Sequence, residues 1–184
     1  VAMLDHTFGI HAPELNDARV LTAGHLKMRG PNATTTGNPG FGFLARVFKD
    51  FPGAVKTSIA SVPEGVVSFH NGEKLRLVRK RTDGAFWTIM TFRFLEGGPF
   101  TDEDEEAGRF GAVITAGTRD RLFGGPGALG KTFEADGQRF TVAGVVPDVS
   151  SIRLRSYADF YVPMGTSRDS VFRTAFDGSY LGLI

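Results

Sequence analysis

The sequence contains no cysteine. This absence excludes disulfide bonds, thiol nucleophiles and zinc sites built from cysteine. It does not identify the cellular compartment, because many secreted bacterial domains also lack cysteine. Cysteine usage therefore limits the chemistry that the chain can perform, but not the place where the chain works.

The sequence also lacks a long apolar run. The longest candidates, residues 140–146 and 180–184, are much shorter than the roughly 20 residues that a membrane-spanning helix needs. We therefore expect the chain itself to be soluble. No signal-peptide pattern follows Val1, and the apolar run that ends at Ile184 has no polar cap, so we expect a piece excised from a longer protein.

Neither sign of charge is in excess. The chain has 21 lysine and arginine residues and 20 aspartate and glutamate residues, which gives a net charge of +1. Nucleic-acid-binding domains usually collect excess basic charge on one face. The charge balance therefore argues against a nucleic-acid partner.

The chain does contain enough apolar material for a core. Hydrophobic residues make up 41% of the sequence, charged residues make up 22%, and 17 residues are phenylalanine. This composition excludes a disordered tail. At 184 residues, we expect one large domain or two small ones that share a core.

Local patterns predict a mixture of helices and strands. Apolar residues recur at helical spacing over residues 40–51, which predicts an amphipathic helix that ends before Pro52. Residues 66–81 alternate like a β-hairpin that turns at Asn71 and Gly72. The other predicted elements are a hairpin over 131–146 that turns at 135–138, strands at 18–23, 54–62, 92–95, 112–115 and 160–163, and helices at 85–90 and 118–123.

Five basic residues cluster in the second strand of the first predicted hairpin. Binding of nucleic acid or of acidic lipid is one interpretation of such a cluster. Alternation with apolar residues favours another, the water-facing side of an ordinary strand. The cluster consists of Lys74, Arg76, Arg79, Lys80 and Arg81.

A group of acidic residues begins just after Thr101. Thr101 and Asp104 have the spacing that caps the start of a helix, and acidic residues there lie at the favourable end of the helix dipole. A calcium site is the alternative, but the spacing and the glycine of an EF-hand are missing. The pattern therefore favours a capped helix.

Residues 125–132 match the P-loop pattern that binds phosphate groups, with Gly125, Gly130, Lys131 and Thr132 at the defining positions. A working P-loop leaves a strand and enters a helix, because loop amides and the helix N-terminus bind the phosphates together. Here the preceding segment is predicted as a helix and the following one as a hairpin. We therefore interpret the match as false and expect no bound nucleotide or other cofactor.

No other segment carries a recognisable catalytic or metal-binding pattern. The four histidines lack the spacing of metal-ligand pairs. The serines lack the context of a catalytic nucleophile. The sequence therefore predicts no catalytic residue and no metal site, and it gives no support for an enzyme. The histidines are His6, His11, His25 and His70.

An ordered series of short motifs occupies residues 84–163. In chain order they are Phe86 with Trp87, then residues 94–101, 112–114, 121–124, 129–133 and 140–146 with Asp148, and residues 160–163. Together they resemble the MacB-like periplasmic core domain of ABC-transporter permeases, the group that includes MacB, LolC/LolE and FtsX-type permeases. The match departs at Gly98, where the family commonly has arginine, so an ion pair made by that arginine is missing here.

The resemblance implies an α+β fold with two parts. A mixed α/β subdomain (Porter-like) would consist of residues 1–85 together with 160–184. A smaller, strand-rich subdomain (Sabre-like) would consist of residues 86–159 and be inserted into the first. The family places this module between the first two transmembrane helices of a permease in the cell inner membrane, facing the periplasm.

The resemblance also implies a role without chemistry. The module would couple ATP-driven movement of transmembrane helices to substrate export or to the action of a periplasmic partner. The implied partners are a cytoplasmic ABC ATPase subunit, reached through the membrane part, a second permease copy, and a periplasmic adaptor or exported substrate.

Two other classes of function stay open. One is a freestanding extracytoplasmic binding module for a peptide, lipid or cell-wall partner, and the other is an enzyme. The permease interpretation predicts that the two ends of the chain are adjacent. A binding module predicts a pocket independent of the ends, and an enzyme predicts a cleft where titratable groups converge.

Overall fold

A computed structural model of the protein describes residues 20–29, 34–48, 51–70, 72–107 and 109–184. These residues form strands, α-helices and two 3₁₀ helices. The strands are β1 (Thr22–Ala23), β2 (Leu26–Arg29), β3 (Thr34–Gly37), β4 (Ser58–Ser61), β5 (Glu64–His70), β6 (Glu73–Thr82), β7 (Glu96–Gly97), β8 (Gly111–Thr115), β9 (Thr132–Ala135), β10 (Gln138–Val146), β11 (Phe160–Pro163) and β12 (Tyr180–Leu183). The helices are α1 (Phe41–Phe48), α2 (Ala85–Met90), α3 (Asp102–Glu106) and α4 (Ala116–Phe123), and the 3₁₀ helices cover Met164–Thr166 and Val171–Arg173.

Strand pairing closes six strands into a ring. β6 pairs with β5 as an antiparallel hairpin, and β6 also pairs in parallel with β11 from Arg79 to Thr82. From β11 the ring continues through β8, β10 and β9 and returns to β5. Because each strand of the ring has partners on both sides, apolar residues on its inner face are shielded from water.

Three further strands extend the sheet outward from β6. β4 pairs with β6 where Ala60 lies opposite Thr82, β12 pairs with β4, and β1 pairs with β12. Short β7 pairs with β10, while β2 and β3 form a separate two-stranded sheet. The first and last strands described are therefore neighbours at one edge of the main sheet.

Apolar side chains are buried in three clusters. The first draws mainly on ring strands and includes Leu77, Phe140 and Phe160. In the second, the ring centroid of Trp87 lies 5.3 Å from that of Tyr161 in an edge-on contact. The third lies between α1 and β4 and includes Leu44. Full burial of one large apolar side chain stabilises a fold by about 1.5–3 kcal/mol, so these clusters supply the main favourable term.

Most of the locally predicted elements are confirmed. The helix predicted over residues 40–51 is α1, and the two hairpins are β5–β6 and β9–β10. In the second hairpin the turn residues Asp136 and Gly137 have positive φ angles of 53° and 66°. Asn71, from the first turn, lies outside the described residues, as do positions 18 and 19 of the predicted first strand.

The predicted strand at residues 92–95 is wrong. The strand in this region is β7, which begins at Glu96; before it, Phe92 makes one isolated β-bridge and the amide of Leu95 donates a 2.7 Å hydrogen bond to the carbonyl of Val145. The ring of Phe92 packs into the aromatic cluster around Trp87. Burial in that cluster, rather than strand pairing, explains the apolar character of the segment.

The capped helix predicted after Thr101 is confirmed. The Thr101 hydroxyl accepts a hydrogen bond from the Asp104 amide at 3.2 Å, and the Asp104 carboxylate accepts one from the Thr101 amide at 2.8 Å. The hydrogen bond from the Thr101 amide is the main cause that lowers the pKa of Asp104, because it stabilises the charged carboxylate. This reciprocal pair holds the first turn of α3.

The α+β fold class is confirmed. The division into residues 1–85 with 160–184 and an inserted part 86–159 stays a prediction. The main sheet contains strands from both proposed parts, because β11 lies between β6 and β8. Any boundary between the two parts therefore crosses hydrogen-bonded strands.

Candidate functional site

The two ends of the described chain are joined by a short β-ladder. The amide of Leu21 donates to the carbonyl of Ile184 at 2.9 Å, and the amide of Ile184 donates to the carbonyl of Leu21 at 3.0 Å. The pairing continues with Thr22 opposite Leu183. The predicted adjacency of the ends is thus observed from Leu21 onward, while residues 1–19 lie outside the described part.

A cleft of about 470 Å³ borders this ladder and will be called the terminal cleft. Two of its side chains are strongly exposed, Leu21 at 69% and Val55 at 103%. Among the described residues that line the cleft, Lys56 is the one with a charged side chain, and its ammonium group donates to the Thr88 hydroxyl at 3.3 Å. The cleft is lined by Val20, Leu21, Gly53, Ala54, Val55, Lys56, Thr88, Ile89 and Ile184.

The loop between β10 and β11, residues 147–159, is fastened beside the terminal cleft. The Arg155 guanidinium donates to the carbonyl of Val20 at 2.7 Å, which connects the loop to the segment that leads into β1. The Tyr161 hydroxyl donates to the carbonyl of Ser156 at 2.5 Å, which connects the loop to β11. The first hydrogen bond holds the loop near the edge of the sheet that carries the chain ends, and the second holds it to a strand of the ring.

Lys80 provides a further anchor for this loop from inside the protein. Its side chain is fully buried, and its ammonium group donates to the carbonyls of Ser61, at 2.9 Å, and Leu154, at 3.2 Å. Burial lowers the pKa of Lys80 to about 7, because removal from water penalises the charged form. Lys80 therefore joins β4, β6 and the β10–β11 loop at one point.

The prediction that the basic cluster faces water is wrong for Arg79 and Lys80. Both side chains are buried, because each face of β6 is covered where they lie: Lys80 reaches the β10–β11 loop at the Leu154 carbonyl, and Arg79, on the opposite face, reaches Asp136 in the β9–β10 turn. Arg79 contacts Glu64 at 3.0 Å. Burial raises the pKa of Glu64, but hydrogen bonds and charge attraction from Arg79 and Arg81 outweigh it, so the net shift is downward.

A signal for this burial was present in the sequence. Successive strand residues point to opposite faces, so the consecutive residues Arg79, Lys80 and Arg81 place basic side chains on both faces. If one face of the strand is covered by other parts of the protein, at least one of these three basic side chains must be buried.

The glycine-rich segment at residues 125–132 has the inverted context that the sequence predicted. It follows α4 and precedes β9, so no helix begins after its glycines. Its amides have an internal anionic partner, since Glu96 Oε2 accepts hydrogen bonds from Gly127 and Ala128, both at 3.1 Å. The expectation that the segment binds no nucleotide stays a prediction, now with a physical reason.

Glu96 is a positioning residue that sequence reasoning did not identify. Its Oε1 atom also accepts a 3.0 Å hydrogen bond from Arg119 of α4. Burial raises the pKa of Glu96, but Arg119 and the amides of Ala128 and Gly127 outweigh that effect and lower it overall. The charged carboxylate of Glu96 therefore connects β7 by hydrogen bonds to α4 and to the glycine-rich segment.

A second, polar cavity of about 750 Å³ opens where the β5–β6 hairpin meets the end of α4. The Lys131 ammonium group lies 5.4 Å from the ring centroid of Phe123, a cation–π contact, and the His70 ring meets the same ring edge-on. Both signs of charge are present, so the lining has no single electrostatic preference. It consists of His70, Glu73, Asp120, Arg121, Leu122, Phe123, Gly124 and Lys131.

The two histidines that the structure describes, His25 and His70, lie in different parts of the fold. His70 lies at the polar cavity, His25 lies between β1 and β2, and His6 and His11 are outside the described residues. In the described ranges, no three histidine, aspartate or glutamate residues form a group that could hold a metal ion.

Comparisons with known proteins show which family and which solved structures the chain is similar to. A sequence model of the MacB-like periplasmic core domain family matches residues 16–181. The chain is similar in structure to the extracellular domain of the noncanonic ABC-type transporter YknZ from Gram-positive bacteria, with 19% sequence identity and a TM-score of 0.63 over 89% of this chain and 83% of that one. No curated protein has a sequence that matches this chain significantly.

Two further solved structures are similar. The periplasmic region of MacB from Actinobacillus actinomycetemcomitans is 14% identical, with a TM-score of 0.65 over 89% of this chain and 73% of that one. A protein domain from Porphyromonas gingivalis is 15% identical, with a TM-score of 0.66 over 92% and 73%. At these identities the similarity concerns the fold. In the part of the chain that the structure describes, no helix has the length and apolar character to span a bilayer.

Proposed function

Because the chain belongs to the family of MacB-like periplasmic core domains, we propose that it couples ATP-driven movement of transmembrane helices to substrate export or to the action of a periplasmic partner. It is the extracytoplasmic domain of a MacB-like ABC transporter permease.

The observation that carries the proposal is the hydrogen-bonded pair of chain ends. Leu21 and Ile184 are held together by two backbone hydrogen bonds, and β12 continues through β4 and β6 into the closed ring. A displacement applied to both ends therefore moves hydrogen-bonded strands together instead of unravelling one end. A packed, closed sheet deforms little, so the domain rotates or shifts as a body.

The partners follow from this mechanical role. A cytoplasmic ABC ATPase subunit would supply the movement through the membrane part of the permease. A second permease copy would place two such domains side by side, so that relative movement changes the space between them. A periplasmic adaptor or the exported substrate would respond to that change.

In this proposal the domain performs no chemistry and binds no cofactor or metal. It belongs to a protein of the cell inner membrane and faces the periplasm. Both ends belong to the proposed discontinuous part, which consists of residues 1–85 with 160–184. The inserted part, residues 86–159, would therefore move together with that part.

One observation favours a second candidate function. The polar cavity at His70 and Lys131 has no residue of the terminal ladder in its lining. A pocket independent of the ends is what a freestanding extracytoplasmic binding module for a peptide, lipid or cell-wall partner would need. The two candidates differ in whether the full-length protein is anchored in the membrane.

The experiment places a single cysteine in the domain of the full-length protein, as Val171→Cys. The domain has no native cysteine, and Val171 is 66% exposed, so a membrane-impermeant maleimide reaches the new thiol without entering the cytoplasm. We expect labelling in intact spheroplasts, and retention of the labelled protein in membranes washed with carbonate. The protein without the substitution controls for cysteines elsewhere in the permease.

Labelling that appears only after lysis would contradict the periplasmic location. Release of the labelled protein by carbonate would instead favour the freestanding binding module.

A further inference from the structure

Residues 149–158 of the β10–β11 loop lie between two anchored positions and will be called the lid. At one end, the Asp148 carboxylate accepts a 2.8 Å hydrogen bond from the Gly117 amide at the start of α4. At the other end, the Asp159 carboxylate accepts a 2.7 Å hydrogen bond from the Val78 amide of β6. These anchors fix the two positions about which the lid would move, as hinges do in larger closures.

Hydrogen bonds within the lid make it a compact unit. The Ser150 carbonyl accepts one from the Arg153 amide at 3.0 Å. The Arg153 carbonyl accepts two more, from the amides of Ser156 at 3.0 Å and Tyr157 at 2.7 Å. Because these partners all belong to the lid, the lid can lift from the sheet without breaking them.

Three further hydrogen bonds hold the lid against its surroundings. Their donors are the side chains of a lysine, an arginine and a tyrosine. Of these donors, the buried lysine is the one whose charge changes near neutral pH. The hydrogen bonds join Lys80 to the Leu154 carbonyl, Arg155 to the Val20 carbonyl and Tyr161 to the Ser156 carbonyl.

The lid covers an ammonium group that has lost its contact with water. Lys80 is fully buried, and this burial lowers the pKa of Lys80 to about 7. When the lid lifts, the amine meets water and regains its ordinary affinity for a proton. Protonation therefore favours the lifted lid, because the charged form gains far more from hydration than the neutral one.

The segments around Lys80 contribute few other charged or titratable groups. β4 and α2 contribute none. Burial is the cause that lowers the pKa of Lys80, so its response to pH does not require a charged neighbour. The groups are Asp83 after β6, Arg153, Arg155, Tyr157 and Asp159 in and beside the lid, and Tyr161 opposite Lys80 on β11.

We propose that the lid is a pH-sensitive latch, which lifts from the sheet when Lys80 binds a proton and closes over the neutral amine when the proton leaves. Lifting also breaks the hydrogen bond from Arg155 to the Val20 carbonyl. The pH around the domain then sets how firmly the loop holds the segment that leads into β1. This regulation goes beyond the proposed function and does not require the membrane part of the permease.

The test measures how often the lid lifts, through a thiol buried inside it. Ser156 is fully buried and the 184-residue chain has no cysteine. In Ser156→Cys, the reagent dithionitrobenzoate therefore reaches one thiol, and only when the lid lifts. The rate of modification is measured from pH 6 to 9 with Lys80 and with Lys80→Met. Ionisation of the thiol affects both rates equally, so their ratio reports the effect of Lys80.

We expect the ratio of the rate with Lys80 to the rate with Lys80→Met to increase as the pH falls from 9 to about 7, by up to about tenfold per pH unit, and then to level off. Lys80→Gln should give the same result, because its amide group is neutral but still donates hydrogen bonds. A constant ratio with either folded variant would overturn the latch, because the charge of Lys80 would then not control lifting.

The matched control is Ser68→Cys, which separates lifting of the lid from unfolding of the whole domain. Ser68 is also fully buried, but it lies on β5 in the ring. We expect Ser156→Cys to react faster than Ser68→Cys by about tenfold or more at pH 7, because local opening needs less free energy than global unfolding. Equal rates would overturn the proposal, because the lid would then open only when the ring unfolds.

Discussion

The most unusual residue in the fold is Lys80, whose ammonium group lies inside the protein against the carbonyls of Ser61 and Leu154. A buried ammonium group loses its hydration, and two carbonyl dipoles replace only part of it. The residue therefore holds the β10–β11 loop in place but makes the stability of the domain depend on pH.

The depressed pKa of Lys80 fixes the sign of that dependence. Below pH of about 7 the side chain is charged in both the folded and the unfolded chain, so the burial penalty acts in full. Between about 7 and the ordinary value of 10.5, the unfolded chain binds a proton that the folded one does not. We expect the free energy of unfolding to rise with pH across this window, by about 1.4 kcal/mol per unit at most.

We expect Lys80→Met to abolish the rise of the free energy of unfolding with pH. Urea unfolding at pH 7, 8 and 9, followed by Trp87 fluorescence, measures that free energy for the native chain and the variant. Lys74→Met is the control, because Lys74 lies on the same strand but is exposed. Parallel pH profiles for the native chain and Lys80→Met would show that the buried amine does not titrate in this range.

The sequence could not predict contacts between side chains and residues that lie far away along the chain. The three consecutive basic residues Arg79, Lys80 and Arg81 carried a signal of buried charge that the prediction of a water-facing cluster did not use. Nothing local to Glu96 indicates its contact with the amides of Gly127 and Ala128, which are 31 and 32 residues away. The contact depends on tertiary structure, because Glu96 belongs to β7, which pairs with the distant strand β10.

At the scale of elements, β7 and β10 approach each other more closely than ordinary side chains permit. A Cβ atom at Gly144 would clash with the backbone carbonyl of Gly98 and would lie 2.8 Å from the Phe94 ring. Gly97 has a φ of +61°, and a Cβ there would clash with the carbonyl of Ala143. Two glycines thus allow the segment before α3 to lie against the bulged part of β10.

We expect Gly144→Ala to lower the free energy of unfolding by about 2 kcal/mol or more, because the obstructing carbonyl belongs to the backbone and cannot move cheaply. Gly98→Ala is the matched control, since nothing lies within 4 Å of the Cβ it would add. Urea unfolding of both variants tests this. Equal stability of the two would mean that the β7–β10 contact adapts to a methyl group.

The helices and turns that the sequence predicted correctly are those determined by residues close together along the chain. The helical spacing of α1, the turn of the second hairpin and the cap of α3 depend on residues close in sequence, and each is confirmed. The strand expected at residues 92–95 was wrong because an aromatic cluster and a buried strand have the same apolar composition. Only the tertiary partners of Phe92 distinguish the two.

At the scale of the whole molecule, the ring closes through pairings between distant segments. β11 pairs in parallel with β6, so that Phe160 lies opposite Arg79. No pattern of neighbouring residues in the sequence predicts this register. Family resemblance supplied the α+β class where periodicity alone did not. The closed ring together with the paired ends would give the domain the rigidity that the proposed mechanical coupling requires.

The most direct test of that coupling is a pair of electron-spin distance measurements on the full-length permease assembled with its ATPase. Spin labels at Val171→Cys, one on each of two permease copies, report the distance between domains. Labels at Leu21→Cys and Val171→Cys in one copy, diluted with unlabelled permease, report the shape within a domain. If the domain transmits movement as a rigid body, trapping the ATP-bound state shifts the first distance and leaves the second unchanged. An unchanged distance between copies, or a change within one domain, would contradict the account.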